Sequence, residues 1–143
     1  VYPGGLTYSG HPLATAAAVA TINAMEHERT VQHAALLGAT VIGPTLAGFA
    51  ENHPSVGEVR GTGVFWAIEL VKNRETREPM APYGGSSPEM NQLVAACKSR
   101  GLLPFANFNR IHVVPPCNTP VEDARAGLAI LDDVLDIADG FAA

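Results

Sequence analysis

Between Gly10 and His27 the sequence is apolar and small on every side. Ala14, Ala16, Ala17, Ala18, Ala20 and Ala24 stand among Val19, Ile22 and Met25. Alanine is the best helix former, so a helix is predicted over Gly10 to His27. A surface helix keeps a polar face for water, whereas this one needs cover all round. That need constrains the fold most: if the chain stands alone, much of the covering surface is missing.

The stretch before this helix, Leu6-Thr7-Tyr8-Ser9-Gly10-His11-Pro12, is a short polar loop. Ser9 is the expected cap, and Pro12 suits the first turn, where a missing N–H costs nothing. Free N–H groups and the positive end of the helix dipole favour an anion here, with the Thr7 hydroxyl beside them. An ordinary capped helix uses the same residues.

Thr30 is the next cap candidate. A helical pattern runs from Val31 through Leu37, Val41, Ile42, Leu46 and Phe49, with Pro44 predicted to kink or split it near Gly43. Asn52-His53-Pro54 ends it. Val56 to Val71 reads as a strand region buried on both sides, with a bulge or tight turn where Gly61 and Gly63 flank Thr62. Arg60 is open to a role as substrate ligand, but the favoured reading is structural, bound to a carboxylate or carbonyls. Lys72 to Ser87 is a loop or hairpin excursion, its charges a solvated surface. Ser87-Pro88-Glu89 caps a helix that buries Met90, Leu93, Val94 and Cys97 and stops at Gly101. Leu102 to Phe105 is a short strand, Ala106 to Asn109 a turn, and Arg110 to Val114 a second strand. Thr119-Pro120-Val121-Glu122 reads as a capping box with proline at the first helical position. The last helix reaches Ala138, with Ala124, Leu128, Leu131 and Leu135 on one face. The fold class is α+β: a small antiparallel or mixed sheet covered by helices on one side, preceded by the Ala-rich helix.

Composition removes several classes of function. With 143 residues and 47% hydrophobic content the chain is globular. A net charge of -5, without a Lys/Arg cluster, argues against nucleic acid. Cys97 and Cys117 make neither a disulfide framework nor a metal site, and weakly favour a reducing compartment. No apolar run approaches the roughly 20 residues of a membrane span, and no signal peptide is visible.

Three blocks carry a resemblance. Gly5-Leu6-Thr7-Tyr8-Ser9-Gly10-His11-Pro12-Leu13-Ala14 resembles the segment after the active-site lysine of class III aminotransferases, the omega-aminotransferases of the fold-type I pyridoxal-phosphate (PLP) superfamily. Val59-Arg60-Gly61-Thr62-Gly63-Val64, running to Glu69-Leu70, resembles that family's small-domain signature. Ile111-His112-Val113-Val114-Pro115-Pro116 resembles its C-terminal strand and double proline. The order and spacing fit over nearly the whole chain.

The resemblance implies that residues 1–29 end the PLP-binding large domain with a connecting helix, and that 30–143 form the C-terminal small domain. It implies a cytoplasmic homodimer with active sites at the subunit interface, PLP as cofactor, and transfer of an amino group from an amine or omega-amino acid to a 2-oxo acid. Thr7, with the backbone of Tyr8, would bind the cofactor phosphate of the neighbouring subunit. Many members that take acidic substrates place an arginine on the strand before the double proline. Here that slot holds His112, and Arg110 lies two residues away on the same face, so Arg110 and His112 are the substrate-side candidates. The bland readings are a salt bridge for Arg110 and a hydrogen-bonded core histidine for His112. PLP chemistry also needs a lysine and an acid at the pyridine nitrogen. The only lysines are Lys72, opening a charged loop, and Lys98, closing a helix. Both required groups are therefore expected upstream of Val1, in a longer enzyme of which this is the C-terminal part, inactive by itself. The alternatives are another PLP enzyme of the same family (mutase, decarboxylase or epimerase) and a non-catalytic α+β module for dimerisation or regulation.

Overall fold

The computed structural model describes residues 4–5 and 7–143. Leu6, part of the first block, lies outside the described residues, as do Val1, Tyr2 and Pro3. The Ala-rich helix α1 spans Pro12–His27. A residue before proline is pushed out of the helical region, so His11 (ψ 124°) is the N-cap and has no side-chain cap bond. Ser9 stands in the preceding turn and does not cap, contrary to expectation. No residue of α1 is buried: Leu13 is 75% and Val19 58% exposed.

Arg29 takes the left-handed conformation (φ 54°) and caps α2, Thr30–Leu37, so Thr30 is the first helical residue and not the cap. A π-helical turn, Gly38–Ile42, leads into α3, Gly43–Asn52. Its wider turn, with the Gly43 N–H on the Gly38 carbonyl, absorbs Pro44 without breaking the helix. The 23 residues from Thr30 to Asn52 are continuous, with mean hydropathy 1.4 over their most apolar stretch. By length and composition they reach what a membrane span needs, which corrects the sequence reading. Their apolar side is already used: Leu37, Val41, Ile42, Leu46 and Phe49 are buried in the core.

The predicted strand region is a hairpin of β1, Val56–Thr62, and β2, Phe65–Asn73. Thr62 pairs with Phe65, leaving the two-residue turn Gly63-Val64, with Gly63 at φ 54°. Tight hairpin turns need a positive φ at this position. The polar excursion closes as a second hairpin, whose short strand β3, Glu78–Pro79, pairs with the end of β2. Next come α4, Pro88–Ser99, β4, Phe105–Asn107, β5, Arg110–Val113, and α5, Val121–Asp139. Ser87 caps α4 as expected, accepting from Met90 N–H. Leu102 to Pro104 are not strand: the Leu102 N–H bonds Cys97 O across Gly101 (φ 89°), closing α4. Pro104 has no N–H to pair. The capping box at Thr119 does not form; Pro120 itself is the N-cap of α5.

The sheet is antiparallel throughout, in the order β1-β2-β5-β4. Its inner face carries Ile68, Leu70 and Ile111, in one core with Ile42 and Leu46 from the long helix and Leu131 and Leu135 from α5. The outer face is open, which corrects the reading of a strand buried on both sides. Val71 there is buried, but Ala67 is half-buried and Phe65 is 62% exposed.

Candidate functional site

Strand alternation and register decide what the open face displays. Arg60, Ala67, His112 and Phe105 form one row across the sheet. Glu58, Glu69, Arg110 and Asn107 form the next. Arg60 is paired along the sheet, 2.8 Å from Glu69 and 3.2 Å from Glu58. That is the structural role expected of it.

Arg110 lies opposite Glu69 in register yet joins no ion pair among the described residues. Its guanidinium sits 5.7 Å from the Phe108 ring centroid, where the ring's negative face holds it. His112 is packed against the aromatic rings of Phe105 (5.2 Å) and Phe65 (6.5 Å). Its Nε2 is buried without a hydrogen-bond partner among the described residues, so this nitrogen does not fit the reading of a satisfied core histidine. Burial, then the charges of Arg110 and Arg60, push the His112 pKa below the ordinary histidine value. The ring is therefore neutral at neutral pH, with one N–H and one lone pair to offer. A fixed guanidinium, a neutral imidazole and two exposed aromatic edges suit an anion joined to a small apolar body. His112 also borders a cavity of ≈ 330 Å³ between β5, the double proline and α5. Phe65 and Phe105 carry no site signal in the sequence; only the pairing of three strands shows that they enclose His112.

The second region is the turn Thr7 to Gly10. Thr7 and Tyr8 are exposed, Tyr8 by 78%, and the Tyr8 ring lies 5.6 Å from that of His11. Tyr8 O accepts from His11 N–H, while Thr15 Oγ donates to the carbonyls of His11 and Pro12. The start of α1 and Thr7 are both exposed, and free N–H groups at a helix start with a nearby threonine in sequence fit a phosphate brought from outside the chain. The lysines are placed elsewhere. Lys72 is 2.6 Å from Glu89, and Lys98 is exposed at the end of α4.

A third cluster joins distant parts of the chain: His53 stands among Asp132, Asp136 and Asp139. Nothing in the sequence reading brings these residues together. The i, i+4, i+7 recurrence of the aspartates on α5 is the available signal; their histidine lies about eighty residues away.

Comparison with known proteins agrees with the three sequence blocks. Residues 3–135 match the family model described as aminotransferase class-III. The structure superposes with a TM-score of 0.87 on the taurine:2-oxoglutarate aminotransferase of Bifidobacterium kashiwanohense, solved with PLP and glutamate. That protein is 38% identical, over 96% of this chain and 31% of its own. The 4-aminobutyrate aminotransferase GabT of Escherichia coli is 37% identical, over 96% of this chain and 32% of its length. The ethanolamine-phosphate phospho-lyase homolog 1 of Caenorhabditis elegans is 30% identical, over 92% of this chain and 27% of its length. The chain thus spans about a third or less of these relatives. With the family model covering nearly all of it and the α+β fold superposing closely, the chain belongs to the class III aminotransferases.

Proposed function

We propose that this chain is the C-terminal share of a PLP-dependent aminotransferase, which moves an amino group from an amine or omega-amino acid to a 2-oxo acid. Residues 1–29 belong with the large domain and 30–143 form the small domain. The enzyme works as a cytoplasmic homodimer. Bound PLP supplies the electron sink that lets an amino group leave one carbon and join another. The residues of this chain hold and orient: Thr7 and the Tyr8 backbone donate to the phosphate of the neighbouring subunit's cofactor. Arg110 takes the acid group of the substrate, and neutral His112 offers it one hydrogen bond beside the Phe65 and Phe105 rings.

The observation that carries this reading is Arg110, in no ion pair among the described residues, on the open sheet face two residues from His112 along β5. A charge-assisted pair of this kind contributes about 1.5–3 kcal/mol, or about 10–100-fold in affinity. In the complete enzyme, Arg110→Met should raise KM for 2-oxo diacids by that factor and leave an acceptor without the second acid group, such as pyruvate, much less affected. An unchanged KM for both acceptors would remove Arg110 from the site. The phospho-lyase relative supports a second reading, other PLP chemistry on the same framework. Product analysis separates the two, since a lyase releases its leaving group without a 2-oxo acceptor. A free-standing dimerisation or regulatory module is the weaker reading, because it leaves α1 without cover.

A further inference from the structure

His53 follows α3, takes no part in the site described above, and is 5% exposed. Its Nδ1 is 2.7 Å from Asp139 Oδ2 and its Nε2 is 2.9 Å from Asp132 Oδ1. Asp136 Oδ1 is 3.9 Å from Nδ1. A neutral imidazole has one N–H and one lone pair. With a carboxylate at hydrogen-bond distance from each nitrogen, a neutral ring would aim its lone pair at a carboxylate oxygen. Only the imidazolium, with two N–H groups, satisfies both contacts.

The helix itself calls for that charge. Four aspartates, Asp132, Asp133, Asp136 and Asp139, lie on the last turns of α5, where the dipole is negative, and no basic residue of α5 stands there to offset them. Asp139 is fixed further by Ser55, whose N–H and hydroxyl both donate to Oδ1, at 3.0 and 2.6 Å. From the opposite side, Arg74 donates to the carbonyls of Ala50 and His53. The charged groups facing the ring are thus Asp132, Asp136 and Asp139 from α5. Arg74, from the turn after β2, meets His53 at its carbonyl and not at its ring. From α3 and β1's lead-in come Phe49, edge-on at 5.8 Å, and Ser55.

We propose that His53 is a proton-operated clasp: its imidazolium fastens the C-terminal half of α5 to the corner between α3 and β1, and loss of the ring proton as pH rises releases that half. Burial lowers the His53 pKa, and the hydrogen bonds and charges of Asp132 and Asp139 outweigh it, so the net shift is upward. A pKa raised in the folded state gives stability that is complete below the ordinary histidine value near 6.5. It is lost as pH climbs through the raised value. The release also frees the chain end, since Ala143 N–H bonds the Lys72 carbonyl just beyond α5.

The test is nitrogen-15 NMR of the histidine rings in the complete protein, with amide-exchange protection measured across residues 132–143. At pH 6.5, where an ordinary histidine is half protonated, most His53 rings should carry protons on both nitrogens. At higher pH the ring should titrate, and protection of the last turns of α5 should fall by about tenfold or more with it. His53→Gln, which retains size and one donor, should show the lowered protection already at pH 6 and lose its pH dependence. Asp139→Asn should lower the ring's pKa while the sheet's protection stays intact. A His53 ring that is mainly a neutral tautomer at pH 6.5 would overturn the clasp, as would a titration that leaves α5 protection unchanged. A ring signal shifted by stoichiometric zinc instead of by protons would replace it with a metal centre.

Discussion

At the scale of single residues, the tightest constraint in the chain is where helix meets hairpin. Gly38, in the π-helical turn, lies against Gly63 in the hairpin turn so closely that a Cβ on Gly38 would overlap the Gly63 carbonyl. That carbonyl also accepts from Trp66 Nε1 at 2.7 Å, so it cannot turn away without breaking a bond. Gly38→Ala should therefore cost about 2 kcal/mol or more, at the upper end of overpacking. A urea denaturation curve reads this as a lower midpoint at unchanged slope. Gly48→Ala, where an added Cβ meets nothing within 4 Å, is the control and should be neutral or slightly stabilising in a helix. Gly63 is visible in the sequence as part of a bulge or turn signal, but Gly38, its partner across space, is not. Arg110 and His112 show the same limit: alternation places them on one face, yet the missing partner of Nε2 appears only when three strands are assembled.

Elements are legible where the signal is local. Helix α4 can be read in full because its cap, proline and acid stand in sequence, and the residue before Pro88 is a serine that can cap. The same grammar misplaces the starts of α1 and α5. Before Pro12 the extended residue is His11 and not Ser9, and Pro120 takes the cap position itself. The Thr119 carbonyl is engaged with His33 Nε2 at 2.8 Å, a contact 86 residues apart in sequence. The start of α4 is also joined to β2, where Lys72 sits 2.6 Å from Glu89 Oε1. The Lys72 hydrogen bond, with help from backbone N–H at the helix start, holds the Glu89 carboxyl down to about 2 from 4.5. A depressed carboxyl stabilises the fold above its unfolded value and gives that up as pH falls through its folded one. Glu89→Gln should therefore flatten the loss of thermal stability between about pH 4.5 and 2, as followed by circular dichroism, while changing little at pH 2. An unaltered acid limb would mean that the pair opens in solution.

For the molecule as a whole, the Ala-rich helix decides how the chain is divided. Residues 30–143 own a core: the helix Thr30–Asn52, α4 and α5 close over one face of the sheet. α1 shares none of it and rests mainly on α2. Its alanines, with Leu13, Val19, Ile22 and Met25 facing solvent, form an apolar surface suited to a partner rather than to water. The joint is exposed Arg29, whose left-handed φ marks a break between helices. Trypsin acting on the 143-residue chain alone should therefore cut early after Arg29 and leave 30–143 folded, with its melting temperature nearly unchanged. In the complete enzyme, where the proposed large domain covers α1, the same bond should resist cleavage under the same conditions. Both outcomes follow from one physical difference, whether the surface of α1 is covered. Rapid cleavage in both proteins would show that α1 is a free linker, and would separate residues 1–29 from the large domain to which they are assigned.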